Sequence, residues 1–185
     1  PTADAGMDVA ICYSECTDLS ASGGVNYLWS NGATDANVNV CPTSTMTYIV
    51  TATDINGCTD SDDVTVTVNP LPTADAGMDI AICYGECTDL TASGGVNYLW
   101  SNGATDATVN VCPTSTMTYI VTVTDINGCT DSDDVTVTVN PLPTADAGMD
   151  VDICFGDCIT LTASGGQTYL WSNSATSAAI DVCPT

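Results

Sequence analysis

Apolar and polar residues alternate through most of this chain with the two-residue period of half-buried strands. Asp63–Asn69 reads DVTVTVN, with Val64, Val66 and Val68 on one face and Thr65 and Thr67 on the other. Met46–Thr53 (MTYIVTAT) lines up Met46, Tyr48, Val50 and Ala52, and Asn37–Cys41 (NVNVC) buries Val38 and Val40. Asp8–Cys12, Thr17–Ser22 and Asn26–Ser30 supply three more strands. Turn signals separate them at Gly23-Gly24, Asn31-Gly32, Cys41-Pro42 and Asn56-Gly57. No segment carries an apolar stripe at helical spacing. This pattern predicts an all-β fold, an antiparallel β-sandwich, with Trp29 as the bulky centre of its core.

The pattern then repeats with a period of 71 residues. PTADAGMD opens at Pro1, Pro72 and Pro143, and the first two copies differ only at Val9/Ile80, Ser14/Gly85, Ser20/Thr91, Asn37/Thr108 and Ala52/Val123. A fixed period of this kind marks a linear array of similar units. Residues 1–71 and 72–142 form two complete units, and residues 143–185 a third that lacks its last two strands. The sequence therefore reads as a window on a longer, mature secreted polymer. Completion of the third unit by strands donated from a neighbouring chain is the other reading. Each final strand runs into Asn-Pro-Leu-Pro, so Pro70 and Pro72, and again Pro141 and Pro143, make short semi-rigid spacers. Units joined this way build a rod that grows by roughly 30–40 Å per unit.

Composition narrows the function. The chain has no lysine, arginine or histidine and 23 acidic residues, all aspartate except Glu15 and Glu86. Nucleic acid is excluded as an electrostatic partner, because phosphate binding needs a basic footprint. Anionic membrane surfaces are disfavoured, and no apolar run is long enough to insert. Without a basic group to orient or stabilise charge, no acid–base pair or activated nucleophile can be assembled, so no enzyme is expected. Each complete unit has four cysteines: Cys12, Cys16, Cys41, Cys58 and Cys83, Cys87, Cys112, Cys129. The third has Cys154, Cys158 and Cys183. Cys12 and Cys16 lack the C-x2-C spacing of zinc sites, so the cysteines read as disulfides of an extracellular protein. Four cysteines allow three connectivities.

The blocks Ala3–Asp8, Ile11-Cys12, Leu19–Gly24, Tyr27–Thr34 (YLWSNGAT), Tyr48–Cys58 and Val64–Pro72 resemble the PKD-like, immunoglobulin-like repeats of very large surface and secreted proteins of Bacteroidetes. The resemblance covers essentially all of each copy. It implies immunoglobulin-like sandwiches of adhesins, gliding-related surface proteins and extracellular fibres, without catalytic residues. The inter-sheet cysteines of antibody domains are absent, Leu19 and Val50 standing there. In the similar repeats, the cysteine after the first strand and that of the Asn-Gly-Cys turn tend to occur together. This implies Cys12–Cys58 and Cys83–Cys129, leaving Cys16–Cys41, Cys87–Cys112 and Cys158–Cys183, with the partner of Cys154 beyond Thr185. A second strand antiparallel to the one ending at Cys41 gives the same Cys16–Cys41 pair.

The aspartates gather at Asp54, Asn56, Asp60, Asp62 and Asp63, and again at Asp125, Asn127, Asp131, Asp133 and Asp134. Carboxylates on an Asn-Gly turn are candidate ligands for Ca2+, although the spacing is not that of an EF-hand, and charge runs are usually solvated turns. Asp75 and Asp79, just after a linker, are a weaker candidate at a junction. Two functions follow. One is a structural filament or cell-surface stalk whose partner is itself. The other is a multivalent adhesin holding a glycan or protein with the loops Ser22–Asn26 and Ser30–Asp35.

Overall fold

The computed structural model describes residues 1–183 and is all-β. In the first unit β1 (Val9–Cys12), β2 (Thr17–Ser20), β3 (Asn26–Trp29), β4 (Asn37–Val40), β5 (Met46–Thr53) and β6 (Thr59–Asn69) form two sheets, β1-β6-β5-β3 and β2-β4. The second unit repeats them as β7 (Ile80–Cys83), β8 (Thr88–Thr91), β9 (Asn97–Trp100), β10 (Thr108–Val111), β11 (Met117–Thr124) and β12 (Thr130–Asn140), in sheets β7-β12-β11-β9 and β10-β8. This strand order is that of an immunoglobulin-like sandwich, and the chain is a tandem of such domains. In the third copy the strands are β13 (Ile159–Thr162) and β14 (Ala179–Val182), paired to each other.

The predicted faces meet in the core. Leu19 from one sheet and Trp29, Val50, Val64 and Val66 from the other are almost fully buried, together with Val38, Val40 and Tyr48. The Trp29 indole N–H donates to the Asp35 carbonyl at 3.0 Å. Leu19 and Val50 fill by packing the places where antibody domains carry their bridge. Met46, expected on the buried face, lies half exposed at the strand end.

Two features depart from the sequence reading. The first strand pairs with the last in parallel, Val9 opposite Val66 and Cys12 opposite Asn69, so the sandwich is not wholly antiparallel. The last strand also begins four residues early, at Thr59 rather than Asp63. Asp60 and Asp62 lie opposite Ala52 and Val50, on the inward face of the strand rather than on a turn.

Their carboxylates fix the leading segment of the unit. Asp60 accepts the N–H of Ala3 at 2.9 Å and Asp62 that of the buried Ala5 at 2.8 Å, while Asp8 accepts the N–H of Thr65 at 2.8 Å. In the second unit Asp131, Asp133 and Asp79 do the same for Ala74, Ala76 and Thr136. Asp75 pairs with Ser93 beside them. Four residues, Pro70, Leu71, Pro72 and Thr73, therefore separate the end of β6 at Asn69 from Ala74, the first residue hydrogen-bonded to the next unit.

A close approach completes this fastening. A Cβ on Gly94, which has φ +100°, would sit 1.8 Å from the Thr73 carbonyl oxygen. Gly94→Ala is expected to unseat the leading segment and destabilise the second unit by about 2 kcal/mol or more, from backbone strain and lost Asp75–Ser93 pairing. Chemical denaturation with Trp100 fluorescence measures it.

Candidate functional site at the inter-unit junction

Parallel pairing of β1 with β6 sends both strands toward the same end of the unit, here the trailing pole. Cys12, last in β1, lies beside Asn69, last in β6, next to the linker. A tight turn holds it there. The Cys12 N–H donates to Glu15 Oε2 at 2.9 Å, the Glu15 N–H to the Cys12 carbonyl at 3.0 Å, and the Tyr13 N–H to the Asn69 carbonyl at 2.8 Å. Ser14 at the turn has φ 72°, a conformation that the second unit meets with Gly85.

At the opposite, leading pole lies the turn between β11 and β12. Asp125 Oδ1 accepts the N–H groups of Asn127 at 2.8 Å and Cys129 at 2.9 Å. The Asp125 N–H donates to the Cys129 carbonyl at 2.9 Å, and Gly128 takes the left-handed conformation that closes the loop. In the first unit the same turn is formed by Asp54, Asn56 and Cys58. The Cys58 N–H there, aided by that of Asn56, holds the Asp54 carboxyl below its ordinary value of 3.8, against an opposing effect of desolvation. The folded turn thus favours the carboxylate. Its support is complete above the ordinary carboxylate value and is lost as pH falls through the lowered one.

The structure joins these two poles. Cys12 of the first unit is bonded to Cys129 of the second, with S–S 2.03 Å and Cα–Cα 5.5 Å. This replaces both expected pairs, Cys12–Cys58 and Cys83–Cys129; Cys58 and Cys83 are exposed and unpaired. Polarity is the reason. Cys58 precedes Thr59 at the start of β6 and Cys12 sits beside its end at Asn69, so a strand of roughly 33 Å separates them. A disulfide spans Cα atoms no more than about 7 Å apart. The bridge closes a sequence separation of 117 residues, worth on the order of 5 kcal/mol by loop-closure entropy. Cys129 is buried at the junction and Cys58, in the same turn without a neighbour, is exposed.

The remaining bridges lie within units. Cys16–Cys41, Cys87–Cys112 and Cys158–Cys183 each have Cα–Cα 4.2 Å. In the first, Thr17 lies opposite Val40, so the residues flanking the β2–β4 register meet. Cys154 is exposed and unpaired.

The acidic candidates are not gathered into one centre. Asp54 caps its turn, Asp60 and Asp62 face inward to backbone N–H groups, and Asp63 lies opposite Ile49 on the outer face. The second unit distributes Asp125, Asn127, Asp131, Asp133 and Asp134 in the same way. Among the described residues no three acidic or cysteine side chains converge as a metal group would require. Asp75 caps Gly77, and Asp79 supports Thr136.

No known protein family matches the chain, nor does any curated protein. Among solved structures it is similar to immunoglobulin domains 1–5 of Sidekick-1, at 14% identity over 98% of this chain and 52% of that one, with TM-score 0.39. It is also similar to the three N-terminal domains of the bacteriophage RB49 highly immunogenic outer capsid protein, at 15% identity over 95% and 67% with TM-score 0.38. A third is DIP-gamma IG1+IG2, at 13% identity over 75% and 98% with TM-score 0.34. Likeness at this level carries no function to this chain.

Two outcomes check the site. Cleavage at the five methionines without reductant is expected to leave fragments 8–46 and 118–149 joined through Cys12–Cys129, whereas pairing within units would join 8–46 to 47–78 and 79–117 to 118–149. Asp133→Ala leaves the Ala76 N–H buried without a partner and is expected to cost about 1–3 kcal/mol, equally with calcium or with chelator. A loss seen only with calcium would make the carboxylate a cation ligand instead.

Proposed function

We propose that the chain is a structural segment of an extracellular filament or cell-surface stalk, built from PKD-like, immunoglobulin-like units of residues 1–71, 72–142 and an incomplete 143–185. The observation that carries this reading is the Cys12–Cys129 bond between consecutive units. A load-bearing rod is stiffened directly by such a lock, whereas a single binding module needs no bond to its neighbour. Near-identity of the first two copies and the Pro-Leu-Pro linkers support the same role. Disulfides within and between units suit an oxidising, extracellular setting. No helix among the described residues is long and apolar enough to cross a membrane. The partner in this reading is more of the same repeat.

Electron microscopy of the native material is expected to show unbranched fibres of this polypeptide with an axial period of roughly 30–40 Å. The double variant Cys12→Ser/Cys129→Ser is expected to broaden the distribution of inter-unit angles while each unit still folds. Isolated stalks with a distinct tip would overturn the filament reading in favour of a multivalent adhesin that holds a glycan or protein by its loops.

A further inference from the structure

Every unpaired cysteine of the described chain sits at one half of a junction. Cys83 occupies in the second unit the place of Cys12 in the first, and the same contacts hold it. Its N–H donates to Glu86 Oε2 at 2.8 Å, its carbonyl accepts the Glu86 N–H at 3.0 Å, and Tyr84 N–H donates to the Asn140 carbonyl at 2.8 Å. It ends β7, opposite Asn140 at the end of β12, as Cys12 lies opposite Asn69. Cys154 begins the corresponding turn of the third copy, its carbonyl accepting the Asp157 N–H at 3.0 Å. Cys58 occupies the place of Cys129, on the same aspartate-capped turn. The bonded pair Cys12–Cys129 shows what these two half-sites do when they meet.

We propose that Cys83 is a junction thiol whose partner is the cysteine in the Asn-Gly-Cys turn of a following unit of the same kind, so that the inter-unit disulfide recurs at each junction of the array. Cys58 is the complementary half-site for a unit that precedes. The partner is recognised by geometry already present. A Pro-Leu-Pro linker identical to the first follows β12, and the leading segment of the third copy pairs Asp146 with Ser164 as the second pairs Asp75 with Ser93. Bond formation breaks two S–H bonds and makes one S–S bond, releasing two protons and two electrons. The electrons reduce a disulfide oxidant, either oxidised glutathione or the active disulfide of a dithiol oxidase, to two thiols. This inference is independent of whether the array serves as filament or stalk.

The test extends the full chain after Thr185 with a second copy of residues 115–142, which supplies the two absent strands and one turn cysteine. Refolding is carried out in oxidised and reduced glutathione. In the chain ending at Thr185, alkylation is expected at Cys58, Cys83 and Cys154. In the extended chain it is expected at Cys58 and Cys154 alone, with a linked peptide joining Cys83 to the appended turn cysteine. Closure of the third unit is read independently from Trp171, half-buried here where Trp29 and Trp100 are fully buried. A closed third unit whose appended cysteine is bonded to Cys154, or remains alkylatable, overturns the proposal. Native material provides the arm that needs no refolding: a Cys83 peptide that is alkylated as isolated also overturns it, whereas one recovered only after reduction, linked to a turn-cysteine peptide, supports it.

Discussion

Parallel pairing of the first strand with the last in each of the two complete units gives the molecule its direction. An antiparallel pair would bring the cysteine ending β1 to the start of β6, beside the β5–β6 turn, where a bridge within the unit is geometrically natural. The parallel register puts Cys12 beside Asn69 instead, at the pole from which the linker departs. The turn cysteine remains at the other pole. Each of the two complete units therefore presents one cysteine forward and one backward, and the disulfide between Cys12 and Cys129 forms across their junction. The leading segment obeys the same polarity: it runs along the inner face of β6 and is held by Asp60 and Asp62, so the chain enters and leaves at opposite ends.

The absence of basic residues has a structural counterpart in this arrangement. A chain with formal charge −23 has no side-chain cations with which to pair its carboxylates. Several aspartates instead accept backbone N–H groups: Asp4 from Gly6, Asp8 from Thr65, Asp54 from Asn56 and Cys58, Asp60 from Ala3 and Asp62 from Ala5. A hydrogen bond to a charged acceptor contributes about 1.5–3 kcal/mol, more than an exposed salt bridge usually does. The acidic composition is thus compatible with a stable sandwich because much of it fastens loops and edges. Repulsion between units favours an extended array.

Much of this was legible in the sequence. The alternation of Val64, Val66 and Val68, the Leu19, Trp29 and Val50 core and the Gly-rich turns follow from side-chain period and turn chemistry. The start of β6 did not, because Thr59–Asp63 is wholly polar and its inward aspartates look like those of a solvated turn. Alternation reports which face a residue occupies and says nothing of strand direction. The parallel first strand was therefore invisible, and with it the location of Cys12. A resemblance in cysteine spacing then pointed to a partner within the unit, since co-occurrence fixes which cysteines belong together and not whether they meet in the same copy or in adjacent ones.

The junction has two covalent connections with different mechanical roles. Pro70, Leu71, Pro72 and Thr73 form one, with two fixed φ angles and hydrogen-bonded Asn69 and Ala74 on either side. A single connection of this length still lets the following unit swivel and tilt about one point. The Cys12–Cys129 bridge is a second connection, and two separated attachment points leave one hinge axis, the line through both. Neither unit has to be deformed for this, since both attachments lie on turns whose shape is set by local hydrogen bonds. Under tension the linker alone would transmit force through the ends of β6 and the leading segment. With the bridge, part of the load passes from β1 directly into the β11–β12 turn, sharing it between two routes through the parallel-paired sheet. Resistance to bending at this junction is then set by disulfide chemistry, and resistance to unfolding of each of the two units by its packed core and its internal bridge.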